Sequence, residues 1–340
     1  MNTTTIDATA DELANDQIAD VAHDSNQRLD SHERLWDDSN EALFTKATLG
    51  KVNFSSGWDM ANIFRYATAC NELYGLRYPE IERALNVLDL GCSIATFYTF
   101  WMSSFSSPGR PRVNYVGLEV RPEIVKKANA IYAEANSDKK QVNVYLMDAM
   151  EERLLDWHNK MFQSDPTAKQ MKYEMILLQE VLEHIGIPCV KSVLKDSKEM
   201  LTDDGVIVIS TPNPKKHEGQ QFTWPENHLY EFTLPEMLAE VEEAGLRPYQ
   251  ITGWLGKAVP MKHKFTPEQR KMYDRMKTIS TGFATAVLAN MYPHLAQCYT
   301  IMCCKKENTR KPVISPEDLA SYMPYVTTAS PRVKSALLEL

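Results

Sequence analysis

The sequence predicts an α/β fold: a seven-stranded, mostly parallel sheet with helices on both faces, a helical N-terminal extension and a helical cap inserted before the last strand. Three observations carry this expectation. Short Val, Ile and Leu runs alternate with segments of helical period, the pattern of strands buried on both faces. One run, "VLDLGCSIA" at 87–95, leads directly into a turn of small residues. The next two strands end in carboxylates, Glu119 and Asp148, and a parallel sheet gathers such ends at one crevice.

Residues 1–45 are rich in Asp, Asn, Thr and Ala without a sustained apolar period, and read as a polar, acidic extension, mobile or loosely helical. "ANIFRYATACNELYG", 61–75, has helical spacing and stops at Gly75 with Pro79 close behind. The strands follow as "ALNVLDLG", "VNYVGLEV", "VNVYLMDA", "YEMILLQE" and "GVIVIST", with "RPEIVKKANAIYAEAN" as a helix between the second and third. "TLPEMLAEVEEAGL" is an amphipathic helix closed by Gly245; "PYQITGWLG" and "QCYTIMCCKK" are the sixth and seventh strands. Between these two, residues 260–296 are too many for a hairpin loop and mostly helical in period, hence the cap. Residues 46–306 form one domain on this reading, and the 307–340 tail carries "SPEDLASYM" as a short capped helix among four prolines.

Composition narrows the function. With 340 residues, 44% hydrophobic and 24% charged, the chain is an ordinary globular protein, and no apolar run nears the length of a bilayer span. The N-terminus lacks the basic-then-apolar order of a secretory signal, so a cytoplasmic setting and no membrane partner are expected. Six cysteines without a CxxC pair suggest reduced, buried thiols, neither a disulfide framework nor a zinc ribbon. A net charge of −8 is the wrong sign for gripping a long phosphate backbone, and the basic runs "RPEIVKKANAIY" and "KKENTRKP" read as solvated faces. Oligomeric state does not follow from these features.

A carboxylate after the second strand can accept both hydroxyls of a ribose, and one after the third an adenine amino group, so together they suggest a nucleoside. With these in view, "VLDLGCS", "YVGLEV", "LMDA", "ILLQEVLEHI", "DDGVIVISTPNP" and "HLYEFTLPEMLAEVEEAGL" resemble, in order, the motifs of class I S-adenosylmethionine-dependent methyltransferases. The resemblance spans roughly residues 60–306 and implies a Rossmann-like fold and S-adenosylmethionine as cofactor. Asp89, Gly91 and Cys92 match the first glycine motif, beside the methionine part; Glu119 matches the ribose acid and Asp148 the adenine acid. Gln179 falls at the cofactor side of the fourth strand end. Ser93 and Ala95 stand where further glycines are usual, so the turn is expected to avoid left-handed conformations at both. Trp58 and Arg65 are expected to close over the cofactor, Arg65 pairing with its carboxylate through a bidentate fork.

The acceptor end is expected at "QEVLEH", 179–184. If a helix begins near Gln179, then Glu180, Glu183 and His184 stand at i, i+3 and i+4 on one face. With His228 they resemble the two-glutamate, two-histidine metal set of small-RNA 3′-terminal 2′-O-methyltransferases; ubiquinone-pathway O-methyltransferases share the "ExxEH" element. In both, a divalent ion can chelate two neighbouring acceptor oxygens and acidify one. Mixed carboxylate and imidazole ligands suit Fe²⁺ or Zn²⁺ better than Mg²⁺ or Mn²⁺. Three readings stay open: a metal site, a metal-free acid/base His184 assisted by Glu183 and Glu180, or a structural helix cap. Asn213 in "STPNP" is a candidate substrate contact or part of a rigid loop; Tyr230 and Glu231 are candidate pocket residues or a helix lead-in. Nucleobase methylation is disfavoured, because no Asp/Asn-Pro-Pro-aromatic motif and no Pro-Cys follow the fourth strand.

The favoured function is O-methylation of a small-molecule acceptor under the cap. Methylation of an RNA terminal ribose is the alternative, supported by the four-residue set and opposed by the charge. A non-catalytic binding module is the third reading, and it rests on Ser93 and Ala95 alone.

Overall fold

The computed structural model describes residues 57–75, 84–104, 112–133, 142–163, 171–214, 227–256, 266–279, 281–291, 293 and 296–309. The expectations for the N-terminal extension and the C-terminal tail lie outside these residues, as does the Trp58 side chain. In chain order the elements are α1 (Gly57–Gly75), β1 (Leu85–Leu90), α2 (Thr96–Ser104), β2 (Val113–Glu119), α3 (Pro122–Tyr132), β3 (Val142–Leu146), α4 (Leu154–Met161), β4 (Tyr173–Gln179), α5 (Leu182–Met200), β5 (Leu201–Pro212), α6 (Leu234–Glu243), β6 (Leu246–Gly256), α7 (Pro267–Ile279), α8 (Thr281–Met291) and β7 (Ala296–Lys305).

The seven strands form one sheet in the order β3-β2-β1-β4-β5-β7-β6. β1 to β5 are mutually parallel, and β7 runs antiparallel between β5 and β6. The strand order reverses between β1 and β4, the switch point where open α/β sheets bind ligands at the carboxyl edge.

Period-two alternation sends each strand's apolar residues to two separate cores. On one face Leu88, Leu90, Ile176, Leu178, Ile207 and Ile209 meet α4, α5 and α6. On the other, Val87, Met175, Leu177, Val206 and Val208 meet α1, α2 and α3 through Leu73, Trp101, Ala128 and their neighbours. Every residue of β4 is buried, which is why "YEMILLQ" carries no polar alternation. Helix boundaries follow local chemistry: Pro122 opens α3 with φ already set, and Thr233 and Glu236 close a reciprocal capping box at the start of α6.

One helix boundary departs from the sequence reading. α5 begins at Leu182 rather than near Gln179, because the β4–β5 ladder continues to the Gln179–Ser210 pair. It then kinks at Gly186 (φ 69°), two residues before Pro188. Within residues 260–296 the structure holds α7 and α8, and α8 lies against β6 and α1. Gly253 permits that approach, since a Cβ there would fall 2.3 Å from the Ala289 carbonyl oxygen. Among the described residues no helix is long and apolar enough to cross a membrane.

Candidate active site

At the carboxyl edge of β1 and β4, Arg65, Tyr66, Asp89, Gly91, Cys92, Ser93, Thr96, Phe97 and Gln179 line a cleft. Its floor is the turn after β1. Gly91 has φ +70°, and a Cβ on it would lie 2.3 Å from Val181 Cγ2, so only glycine lets β1 turn against the start of α5. Ser93 (φ 51°) and Ala95 (φ 58°) are also left-handed, which corrects the expectation that their side chains forbid it. The conformation costs about 1–2 kcal/mol for each non-glycine residue. Hydrogen bonds offset it: Ser93 N donates to Glu119 Oε2 at 3.1 Å and Ala95 N to the Cys92 carbonyl at 3.0 Å.

Each expected cofactor residue has a definite place. Asp89 is buried, accepts a 2.5 Å bond from Tyr115 Oη, and burial pushes its carboxyl up to about 7. Cys92 is packed, with its Sγ only 2.5 Å from where a Cβ on Gly117 would stand, and burial pushes the thiol well up. Glu119 is buried and held on both oxygens, by Ser93 N and by Arg121, whose Nε lies 2.9 Å from Oε1. Arg121 is not singled out by the sequence, although a cation two residues past Glu119 is a readable signal. Asp148 follows β3, where its Oδ1 accepts from Met150 N at 2.8 Å and caps its own turn; neither Asp148 nor Glu119 is among the residues lining the cleft.

Arg65 enters from α1. Its guanidinium carbon lies 4.5 Å from the Tyr66 ring centroid and 5.3 Å from that of Trp254, Nη2 donates to Tyr66 Oη at 2.9 Å, and Nη1 is 3.8 Å from Glu180 Oε1. Three buried cleft atoms, Arg65 Nε, Thr96 Oγ1 and Gln179 Nε2, have no hydrogen-bond partner among the described residues. All three can donate. Buried donors left unpaired cost about 1–3 kcal/mol each, so a cleft with three of them fits a ligand rich in acceptor atoms.

The "QEVLEH" residues do not share a helix face. Glu180 sits in the bend between β4 and α5 with φ 57°, its N–H on the Ser210 carbonyl (2.8 Å) and its Oε1 accepting from Ser210 Oγ (3.0 Å). Burial raises its carboxyl, with the nearby Arg65 charge opposing. Glu183 and His184 open α5, and there Glu183, His184 and His228 bring one ligand atom each within 4.8 Å of one another, a grouping that excludes Glu180. His228 is delivered by backbone: Leu229 N and Tyr230 N both donate to the Glu183 carbonyl, at 2.7 and 3.2 Å. The Glu183 carboxyl accepts from Thr211 Oγ1 at 3.0 Å, and burial, reinforced by Glu180, pushes it well above its usual range.

Of the remaining candidates, Asn213 donates from Nδ2 to the Ala296 carbonyl at 3.0 Å and accepts from Leu234 N at 3.4 Å, at the end of β5. Tyr230 Oη donates to Glu236 Oε1 (3.2 Å), and Glu231 Oε1 lies 2.6 Å from His228 Nδ1. The two imidazoles can take a proton from a bound hydroxyl, and together with the carboxyl their donor set also suits a divalent cation.

A family model described as a methyltransferase domain matches residues 61–251, more than half of the chain. The chain is a class I S-adenosylmethionine-dependent methyltransferase. This methyltransferase is 22% identical over 200 residues to the sphingolipid C9-methyltransferase of Komagataella phaffii, covering 57% of its own length and 37% of that relative's. Among solved structures it is similar to magnesium protoporphyrin IX methyltransferase from Synechocystis PCC 6803 with bound SAH (9% identity, 73% and 85% coverage, TM-score 0.43). A putative sarcosine dimethylglycine methyltransferase from Galdieria sulphuraria is similar at 14% identity, 78% and 98% coverage and TM-score 0.43.

Proposed function

We propose that this methyltransferase transfers the methyl group of S-adenosylmethionine to an oxygen of a small-molecule acceptor bound at Glu183, His184 and His228. The observation that carries the reading is the continuity of residues 179–184. Gln179 lines the cleft with an Nε2 that has no partner among the described residues, Glu180 bridges to Arg65, and Glu183 and His184 belong to the cluster. Donor cleft and proton-accepting groups are therefore one short stretch of chain apart, as methyl transfer in line with a deprotonating hydroxyl requires.

On this reading Arg65 and Thr96 take the cofactor's carboxylate, Asp89 faces its amino group, Glu119 takes the ribose hydroxyls and Asp148 the adenine. The acceptor's O–H proton passes to a histidine of the cluster as the oxygen–methyl bond forms and the sulfonium–methyl bond breaks. Glu183, His184 and His228 would hold a divalent ion, with Glu180 turned toward Ser210 and Arg65. Such an ion, when bound, makes a chelated hydroxyl more acidic. The α7–α8 insertion covers the acceptor and excludes water.

The test is methyl-labelled S-adenosylmethionine offered with catechols, vicinal diols, a sphingolipid and a 3′-hydroxyl RNA. We expect label in a methyl ether of a small diol, with His184→Ala and Glu183→Gln lowering turnover at least about 100-fold while cofactor affinity holds. Label on carbon or nitrogen would overturn O-methylation; RNA as the preferred acceptor, with steep salt dependence, would overturn the small-molecule reading.

A further inference from the structure

We propose that Glu231 is a positioning residue that sets the tautomer of His228; the inference rests on the acceptor-site reading above. His228 Nδ1 lies 2.6 Å from Glu231 Oε1, and the side chains are only 13% and 12% exposed. A carboxylate oxygen carries no hydrogen, so the proton of this bond sits on Nδ1 and the ring's lone pair is left on Nε2. The same arrangement recurs at His184, whose Nδ1 is 2.8 Å from the Asn227 carbonyl oxygen. A carbonyl also only accepts, which makes Nε2 the lone-pair nitrogen there, 3.8 Å from Glu183 Oε1.

Two imidazoles are thus tied back through Nδ1 by one stretch of chain, 227–231, and stand edge to face with centroids 4.8 Å apart at 84°. That stretch has other ties as well. Leu229 and Tyr230 already donate to the Glu183 carbonyl, and Tyr230 Oη is fastened to Glu236 in the α6 capping box. What the Glu231 contact adds is the choice of nitrogen. Without it a neutral imidazole favours hydrogen on Nε2, which would present a donor, not a lone pair, to the cluster.

The experiment labels the histidine rings with ¹⁵N and reads two-bond proton–nitrogen correlations at about pH 8.5, well above the ordinary histidine pKa. His228→Ala assigns the signal by its loss. Wild type and Glu231→Gln, whose amide oxygen still accepts, should show Nδ1–H at His228. Glu231→Ala should move it to Nε2–H and lower kcat about 10- to 100-fold, with the KM for S-adenosylmethionine within about 2-fold. An unmoved tautomer in Glu231→Ala, or a moved one with kcat unchanged, overturns the proposal. If instead His228→Ala itself turns over normally, the acceptor-site reading has failed and the inference with it.

Discussion

The Arg65 guanidinium carbon lies over two rings, 4.5 Å from the Tyr66 centroid and 5.3 Å from that of Trp254, and so links α1 to β6 beside the cleft. Its buried Nε has no hydrogen-bond partner among the described residues. Lysine keeps the charge and loses both the planar stack and the Nε–H. Arg65→Lys should weaken S-adenosylmethionine binding at least about 10-fold by calorimetry, roughly one charge-assisted hydrogen bond. Unchanged affinity would remove Arg65 from the cofactor site.

Asp89 gives the apoprotein a pH-dependent component. Burial raises its carboxyl from 3.8 to about 7, so the folded state holds this proton more tightly than the unfolded chain does. The contribution is fully present below about pH 4 and is lost as pH rises to about 7, on the order of 4 kcal/mol for a shift of this size. Asp89→Asn should be more stable than wild type at pH 7.5 and nearly equal at pH 4, measured by urea unfolding. An equal difference at both pH values would contradict the assignment.

Ser93 adopts φ 51°, where glycine would be unstrained. Relief of that strain and glycine's extra chain entropy are each about 1 kcal/mol and opposed. Ser93→Gly should therefore fall within about 0.5 kcal/mol of wild type, with cofactor affinity within about 3-fold. A larger loss of affinity would mean that the hydroxyl itself contacts the cofactor.

Exhaustive chelation followed by readdition of single divalent ions tests the cluster as a cation site. Turnover should fall and return with one ion, and the same ion should raise Tm in wild type and not in His228→Ala. Full activity after chelation would leave His184 and His228 as metal-free bases.

The capping box at Thr233 is a check on the frame behind His228. Thr233→Ala removes the acceptor for Glu236 N and the donor to its Oε2. A loss of about 1 kcal/mol is expected in urea unfolding. Since Glu236 also receives Tyr230 Oη, kcat should fall slightly while the cofactor KM holds.

The strands were legible because β1, β4 and β5 are buried on both faces and so carry nearly uninterrupted apolar runs. The edge positions of Glu119 and Asp148 followed from strand ends alone. Glu180 was misplaced because spacing says which residues would share a helix face, not where the helix starts; the ladder to Ser210 decided that. Left-handed Ser93 and Ala95 were hidden for a related reason: the partners that offset the strain, Glu119 and Cys92, act through folded geometry. Glu231 stood in plain view three residues after His228, yet only the bend at 227–230 shows that the two side chains meet.

The antiparallel β7 has an engineering consequence. β6 ends and β7 begins as facing partners, Gly256 opposite Ala296, on the sheet edge that carries the cleft. Whatever is spliced between them therefore leaves and re-enters at adjacent points, without altering strand order or the turn after β1. Lengthening such an excursion twofold costs only about 0.6 kcal/mol of closure entropy. A foreign segment grafted at 256 and 296 would have to restore the packing of α8 on β6 and α1, where Gly253 admits the Ala289 backbone.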